Sequence, residues 1–119
     1  MRQPYATVTP YITKDGSEIR ELMHPKVQGN KNQSLAEATI PVGGKTLRHK
    51  HLMTEELYHI TQGHGLMHLG DKNFEVFMGD TVCIESGTEH SIENIGSEAL
   101  VLLCCCSPAY SHDDTVLVA

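Results

Sequence analysis

Turn residues break this 119-residue chain at intervals of about 8–12 residues, and no long window repeats its apolar positions with helical spacing. The breaks fall at Pro41–Gly44, Gln62–Gly65, Gly70–Asn73, Met78–Asp80, Glu85–Thr88 and Asn94–Ser97. Most of them set glycine beside Asn, Asp, Ser or Pro, residues that accept turn dihedrals or bond their own backbone. Strands are therefore expected over 34–40, 46–53, 56–62, 65–69, 73–77, 81–85, 90–94 and 99–106. That many short strands without a strong helix predict an all-β, closed or nearly closed antiparallel barrel. Residues 18–23 are expected as a further strand or a short helical turn, and the chain after Pro108 as an extended arm. With no repeat and no low-complexity linker, one domain is expected over 1–119. Its core covers about 34–106, between an N-terminal segment (1–33) and a C-terminal arm (107–119).

The formal charge of −6, with only nine scattered Lys and Arg, excludes a nucleic-acid partner that would need clustered cations. No stretch nears the roughly 18 apolar residues of a membrane span. The first residues carry no apolar leader, so a cytoplasmic location is expected. Disulfides are then improbable, although Cys83, Cys104, Cys105 and Cys106 are present. On a strand, Cys104 and Cys106 share one face and Cys105 takes the other. Small buried apolar residues account for them, with a soft-metal or redox role as the alternative.

Chemistry concentrates between Gly43 and Gly63. His49 and His51 stand two apart and so point to one face of a strand. Glu56 opens the next strand and Tyr58 follows it on the same face, whereas His59 turns away. Three nitrogen and oxygen donors on two neighbouring strands suit a first-row divalent metal, and His90 can complete the set.

The segment Gly43, His49, His51, Glu56, Gly63 resembles the first motif of the cupin superfamily at every signature position. Gly79, Glu85, Gly87, His90, Asn94 is similar to the second, except that Glu85 stands where proline is usual. The resemblance implies a double-stranded β-helix, a jelly-roll-like barrel. It also implies one divalent transition metal (Fe, Mn, Ni, Zn, Co or Cu) bound by His49, His51, Glu56 and His90, and small-molecule ligands.

Three neutral imidazoles and a carboxylate leave such an ion with a net charge near +1 and open positions for a substrate. Glu56 and Tyr58 are the residues expected to act in catalysis. Tyr58 either moves a proton or only fills the barrel, its hydroxyl on a backbone carbonyl. Leu47, Met53, Ile60, Leu66, Val82, Ile84 and Ile92 are expected to give a mostly aliphatic pocket. Arg20 is read as a surface ion pair, or else as a carboxylate anchor at the barrel mouth. His64 and His68 are read as polar residues with no carboxylate beside them.

The leading function is a metal-dependent enzyme for a small oxygenated or acidic molecule. It would be a dioxygenase, or a non-oxidative isomerase, lyase or decarboxylase. The alternative is a non-catalytic cupin that binds a small ligand or a metal. Exposed strand edges lead to the expectation of a homodimer.

Overall fold

The computed structural model describes residues 1–118. Its strands are β1 (Tyr11–Ile12), β2 (Glu18–Met23), β3 (Ser34–Ile40), β4 (His49–His51), β5 (Glu55–Gln62), β6 (His64–Leu69), β7 (Lys72–Phe77), β8 (Thr81–Ile84), β9 (His90–Asn94), β10 (Leu100–Ser107) and β11 (Thr115–Leu117). They form two antiparallel sheets, β1-β2-β3-β10-β5-β8 and β11-β4-β9-β6-β7. This is the jelly-roll-like all-β barrel expected from the turn rhythm, and residues 18–23 take the strand option.

Alternation builds the core. In β10, every second residue from Leu100 to Cys106 is buried, and β5 buries Glu56, Tyr58 and Ile60 by the same parity. Ile40, Ile60, Met67, Ile84, Ile92, Leu100 and Leu102 are all but fully buried between the sheets. Each such side chain contributes about 1.5–3 kcal/mol of transfer free energy. The cysteine run obeys the same rule. Cys104 and Cys106 face inward, while Cys105 is half-buried on the other side.

Two expectations fail here. The strand over 46–53 shrinks to His49–His51, because the residues before it spend their hydrogen bonds on two different partners. The Thr46 amide donates to the Ile92 carbonyl, and the Leu47 amide donates to that of Asp15 at 2.7 Å. That break in the ladder turns Leu47 outward, 51 % exposed, and buries Thr46 in its place. Met53, in the turn after β4, is exposed as well.

The second failure is the C-terminal arm. Residues 115–117 fold back as β11 and pair with β4 in the register Thr115↔His51 and Leu117↔His49. Asp114 fixes this return, its two carboxylate oxygens accepting the Met53 and Thr54 amides at 2.9 and 3.1 Å. Lys14 adds bonds to the Thr115 and His112 carbonyls. A segment that can satisfy its backbone on the edge of β4 has no reason to stay extended in water.

Candidate metal centre

Strand β4 is three residues long and points His49 and His51 inward, with Lys50 between them facing out. Its register partner for His49 is His90, the first residue of β9. Glu56 comes from β5 in the opposite sheet, so the cluster sits between the two sheets. One ligand atom from each of the four residues lies within 4.8 Å of all the others. All four side chains are buried, His90 completely.

The outer nitrogen of each ring decides what the inner one can do. His49 Nδ1 lies 2.8 Å from the Leu47 carbonyl, and His90 Nδ1 lies 2.9 Å from that of Thr88. A carbonyl only accepts, so each Nδ1 carries the proton. His51 Nδ1 lies 3.0 Å from the Thr115 hydroxyl, whose own proton goes to the Ser111 carbonyl. It too must donate. In the neutral rings all three Nε2 atoms are therefore bare lone pairs aimed inward, the tautomer that metal ligation requires.

Glu56 Oε1 faces them, 3.2 Å from His51 Nε2 and 3.6 Å from His90 Nε2. Its other oxygen accepts the Cys106 thiol at 3.3 Å. Burial by itself raises the Glu56 carboxyl; a proton on the facing His51 or His90 nitrogen, through hydrogen bond and charge, outweighs that and holds it at about 2. His49 is pushed down, first by burial and then by repulsion from His90. Burial also keeps Cys106 and Cys104 as thiols.

His51 Nε2, His90 Nε2 and Glu56 Oε1 are buried with no hydrogen-bond partner. Acceptors that converge without a proton between them repel one another unless a cation joins them. The donor set thus fits a divalent first-row ion.

A cavity of about 40 Å³ opens over the cluster, lined by 21 residues. It has room for roughly three water-sized groups. Its exposed wall is mainly apolar, as expected, but residues other than those expected supply it. Of the seven side chains named for it only Ile92 contributes. Leu47 and Met53 are exposed, Ile60, Val82 and Ile84 lie deeper in the core, and half-buried Leu66 stands apart from it. In their place the β1–β2 ribbon lays Tyr11, Thr13, Asp15, Ser17, Ile19 and Glu21 over the cavity. Asp15 Oδ2 comes within 3.7 Å of His49 Nε2. Tyr110 and Thr115 complete the lid from the C-terminal segment.

Tyr58 is buried and lines the cavity, its ring centroid 6.0 Å from that of His90. Burial first, and the nearby Glu56 charge second, push its hydroxyl far above its ordinary acidity range. It keeps its proton there, and no carbonyl of the described residues ties it down.

His59 points outward, as parity predicts. His64, in contrast, does have a carboxylate beside it, Glu75 at 3.2 Å, and stacks on Phe77. His68 bonds Asn73 at the surface. Arg20 pairs with Glu18 at 3.9 Å and lies over the Tyr5 ring. It does not line the cavity. The turn at Glu85 holds without proline, because the Thr88 amide bonds Glu85 and the Gly87 amide bonds the His51 carbonyl at 2.6 Å.

Asp15, Cys106 and Thr115 were not identified as site residues from the sequence. No sequence signal marks Asp15, because the odd positions from 11 to 21 (Tyr11, Thr13, Asp15, Ser17, Ile19 and Glu21) show no apolar–polar alternation with the even ones. Nor does any mark the bond between Thr115 and His51, which joins residues 64 apart.

The family model for the cupin domain matches residues 36–106. An uncharacterized protein of Methanocaldococcus jannaschii is 53 % identical over 118 residues, which is 99 % of this chain and 94 % of that protein. An oxalate-binding protein of Thermotoga maritima is 34 % identical over 86 residues, covering 72 % of this chain and 71 % of that protein. Among solved structures, a Thermotoga maritima protein described as a predicted oxalate decarboxylase superposes with a TM-score of 0.79 at 29 % identity. The match covers 91 % of this chain and 99 % of that one.

Proposed function

The chain belongs to the cupin family, and from that premise we propose that it is a divalent-metal-dependent enzyme acting on a small oxygenated molecule. The observation that carries this reading is the convergence of three imidazoles, each bonded outward through Nδ1, on one carboxylate oxygen, with His51 Nε2, His90 Nε2 and Glu56 Oε1 buried and unpartnered. His49, His51, Glu56 and His90 are the proposed ligands of one Fe, Mn, Ni, Zn, Co or Cu ion.

When bound, the ion supplies Lewis-acid polarisation of a coordinated oxygen. The protein's own groups then do the rest. The Leu47, Thr88 and Thr115 acceptors hold the three rings in one tautomer. Cys106 fixes the orientation of Glu56. Tyr58 can donate its proton to a substrate oxygen, and the polar ribbon of β1–β2 covers the reaction from bulk water. These proton-handling groups favour non-oxidative chemistry (isomerase, lyase or decarboxylase) over dioxygenation. Solvent deuterium entering substrate without O2 uptake supports the first, and O2 consumption supports the second.

Elemental analysis of the parent beside a His49→Ala/His51→Ala variant, after equal exposure to several divalent metals, tests the premise. About one metal per chain is expected in the parent, with loss of nearly all of it in the variant. A parent that stays metal-free after reconstitution sinks the reading.

The similarity to an oxalate-binding protein supports a second reading, a cupin that holds a small acid without converting it. Ligand recovered unchanged from long incubation with loaded protein would decide for it.

We also propose that two copies associate. Strands β7 and β8 end their sheets unpaired, and Phe77 and Met78 beside them are at least half exposed. Sedimentation as a dimer at micromolar concentration is expected, and a monomer there refutes the association.

A further inference from the structure

We infer that the cavity selects an α-hydroxy acid or hydroxyketone carrying at most one negative charge, and discriminates against dicarboxylates. This rests on the metal reading above and names the ligand class of that same site.

The first ground is charge. No lysine or arginine lines the cavity among the described residues, whereas Asp15, Glu21 and Glu56 do. The alternation of the β1–β2 ribbon explains it. Positions 15 and 21 face the cavity, and the cations beside them, Lys14 and Arg20, are directed elsewhere. Lys14 is held by the His112 and Thr115 carbonyls, and Arg20 by Glu18 and Tyr5. A divalent ion less the Glu56 charge leaves one positive charge, which a monoanion neutralises. A dianion leaves an uncompensated negative charge facing two further carboxylates in a poorly solvated space.

The second ground is hydrogen bonding. Glu21 Oε2 accepts from the Tyr11 hydroxyl at 3.3 Å, but its Oε1 is buried without any partner. Asp15 Oδ1 accepts both the Ser17 amide and the Ser17 hydroxyl, at 2.9 and 2.6 Å. That leaves Oδ2 free on the side of His49. Both free oxygens can only accept while ionised, so they call for donors. A ligand hydroxyl supplies one, and a second ligand carboxylate supplies none. Room for only a few heavy atoms beyond the ion favours a short-chain compound.

The test uses Co(II)-loaded full-length protein, its visible absorption titrated with oxalate and with glycolate. These two chelators close the same ring and differ by one charge and one hydroxyl. The same titrations on free Co(II) in the same buffer give the intrinsic preference for oxalate. The protein-bound ion is expected to show an oxalate-over-glycolate ratio lower by at least about tenfold. Glu21→Gln and Asp15→Asn, each alone, are expected to move that ratio back toward the free-ion value. Because Glu21 lies away from the ligand cluster, its variant answers even where Asp15→Asn disturbs the ribbon turn.

A parent ratio equal to or above that of free Co(II), or a ratio unmoved by both substitutions, overturns the inference while leaving the metal reading intact. Failure of Co(II) to load at about one per chain overturns the metal reading and this inference with it.

Discussion

Stripping divalent metal from the protein with a chelator is expected to lower its thermal midpoint by about 15 °C. An ion that binds only the folded state, at a free concentration about a thousand times its dissociation constant, stabilises that state by about 4 kcal/mol. For a domain of this size each kcal/mol moves the midpoint by roughly 3–6 °C. The structure gives a specific reason to expect so strong a coupling. Without a cation, His51 Nε2, His90 Nε2 and Glu56 Oε1 stay buried and unpartnered, and the folded state bears their desolvation. The proposed ligands stand on β4, β5 and β9, so an ion held by them would tie the two sheets together.

Re-addition of Zn(II) or Co(II) should restore the midpoint, whereas Mg(II) should not, because a hard ion prefers an all-oxygen octahedron. The His49→Ala/His51→Ala variant should be indifferent to chelator. A parent whose calorimetric midpoint ignores both chelator and added metal contradicts the metal centre outright.

The second large effect is expected at Gly63. Gly63→Ala should cost about 4 kcal/mol or more, against about 1–2 kcal/mol for Gly79→Ala. The two glycines have nearly the same backbone, with φ of 93° and 94°. Left-handed strain therefore contributes equally to both. They differ in what surrounds them. A Cβ on Gly63 would lie 2.9 Å from the Ala99 carbonyl oxygen and 3.0 Å from the Leu100 Cα, whereas one on Gly79 meets nothing within 4 Å.

Backbone atoms cannot swing aside as a side-chain tip can. The start of β10 would have to move, and with it Leu100, which is fully buried at 0 % exposure. Urea melts of both variants separate strain from packing. Equal losses would show that φ alone matters at Gly63, and the close approach of β10 would then carry no weight.

Those two glycines also mark how far the chain could be read without its structure. Both stand as turn residues in the sequence, and both are turns. Only the position of β10, some 40 residues further on, separates a tolerant site from an intolerant one. Local alternation was legible throughout. It placed Glu56 and Tyr58 inward and His59 outward, and it turned Cys104 and Cys106 to the face opposite Cys105. It failed where the ladder itself broke, at Leu47, because a residue whose amide bonds a loop carbonyl no longer follows the parity of the strand. Residues 11–21 carry no apolar–polar alternation, and nothing local says that a short ribbon will lie across a barrel mouth.

By itself, then, the sequence determined most of the strands, the face that side chains take within an unbroken ladder, and the two glycine-framed segments that carry His49, His51, Glu56 and His90. Steric alternation and turn dihedrals act over a few residues and need no knowledge of the chain path. The tertiary structure alone decided that Thr115 holds His51, that Cys106 holds Glu56, and that Asp15 and Glu21 face the cavity in place of Leu47 and Met53. Those contacts join residues about 30 to 64 positions apart. They exist only because two sheets close on each other, and their closure is a property of the whole chain's burial.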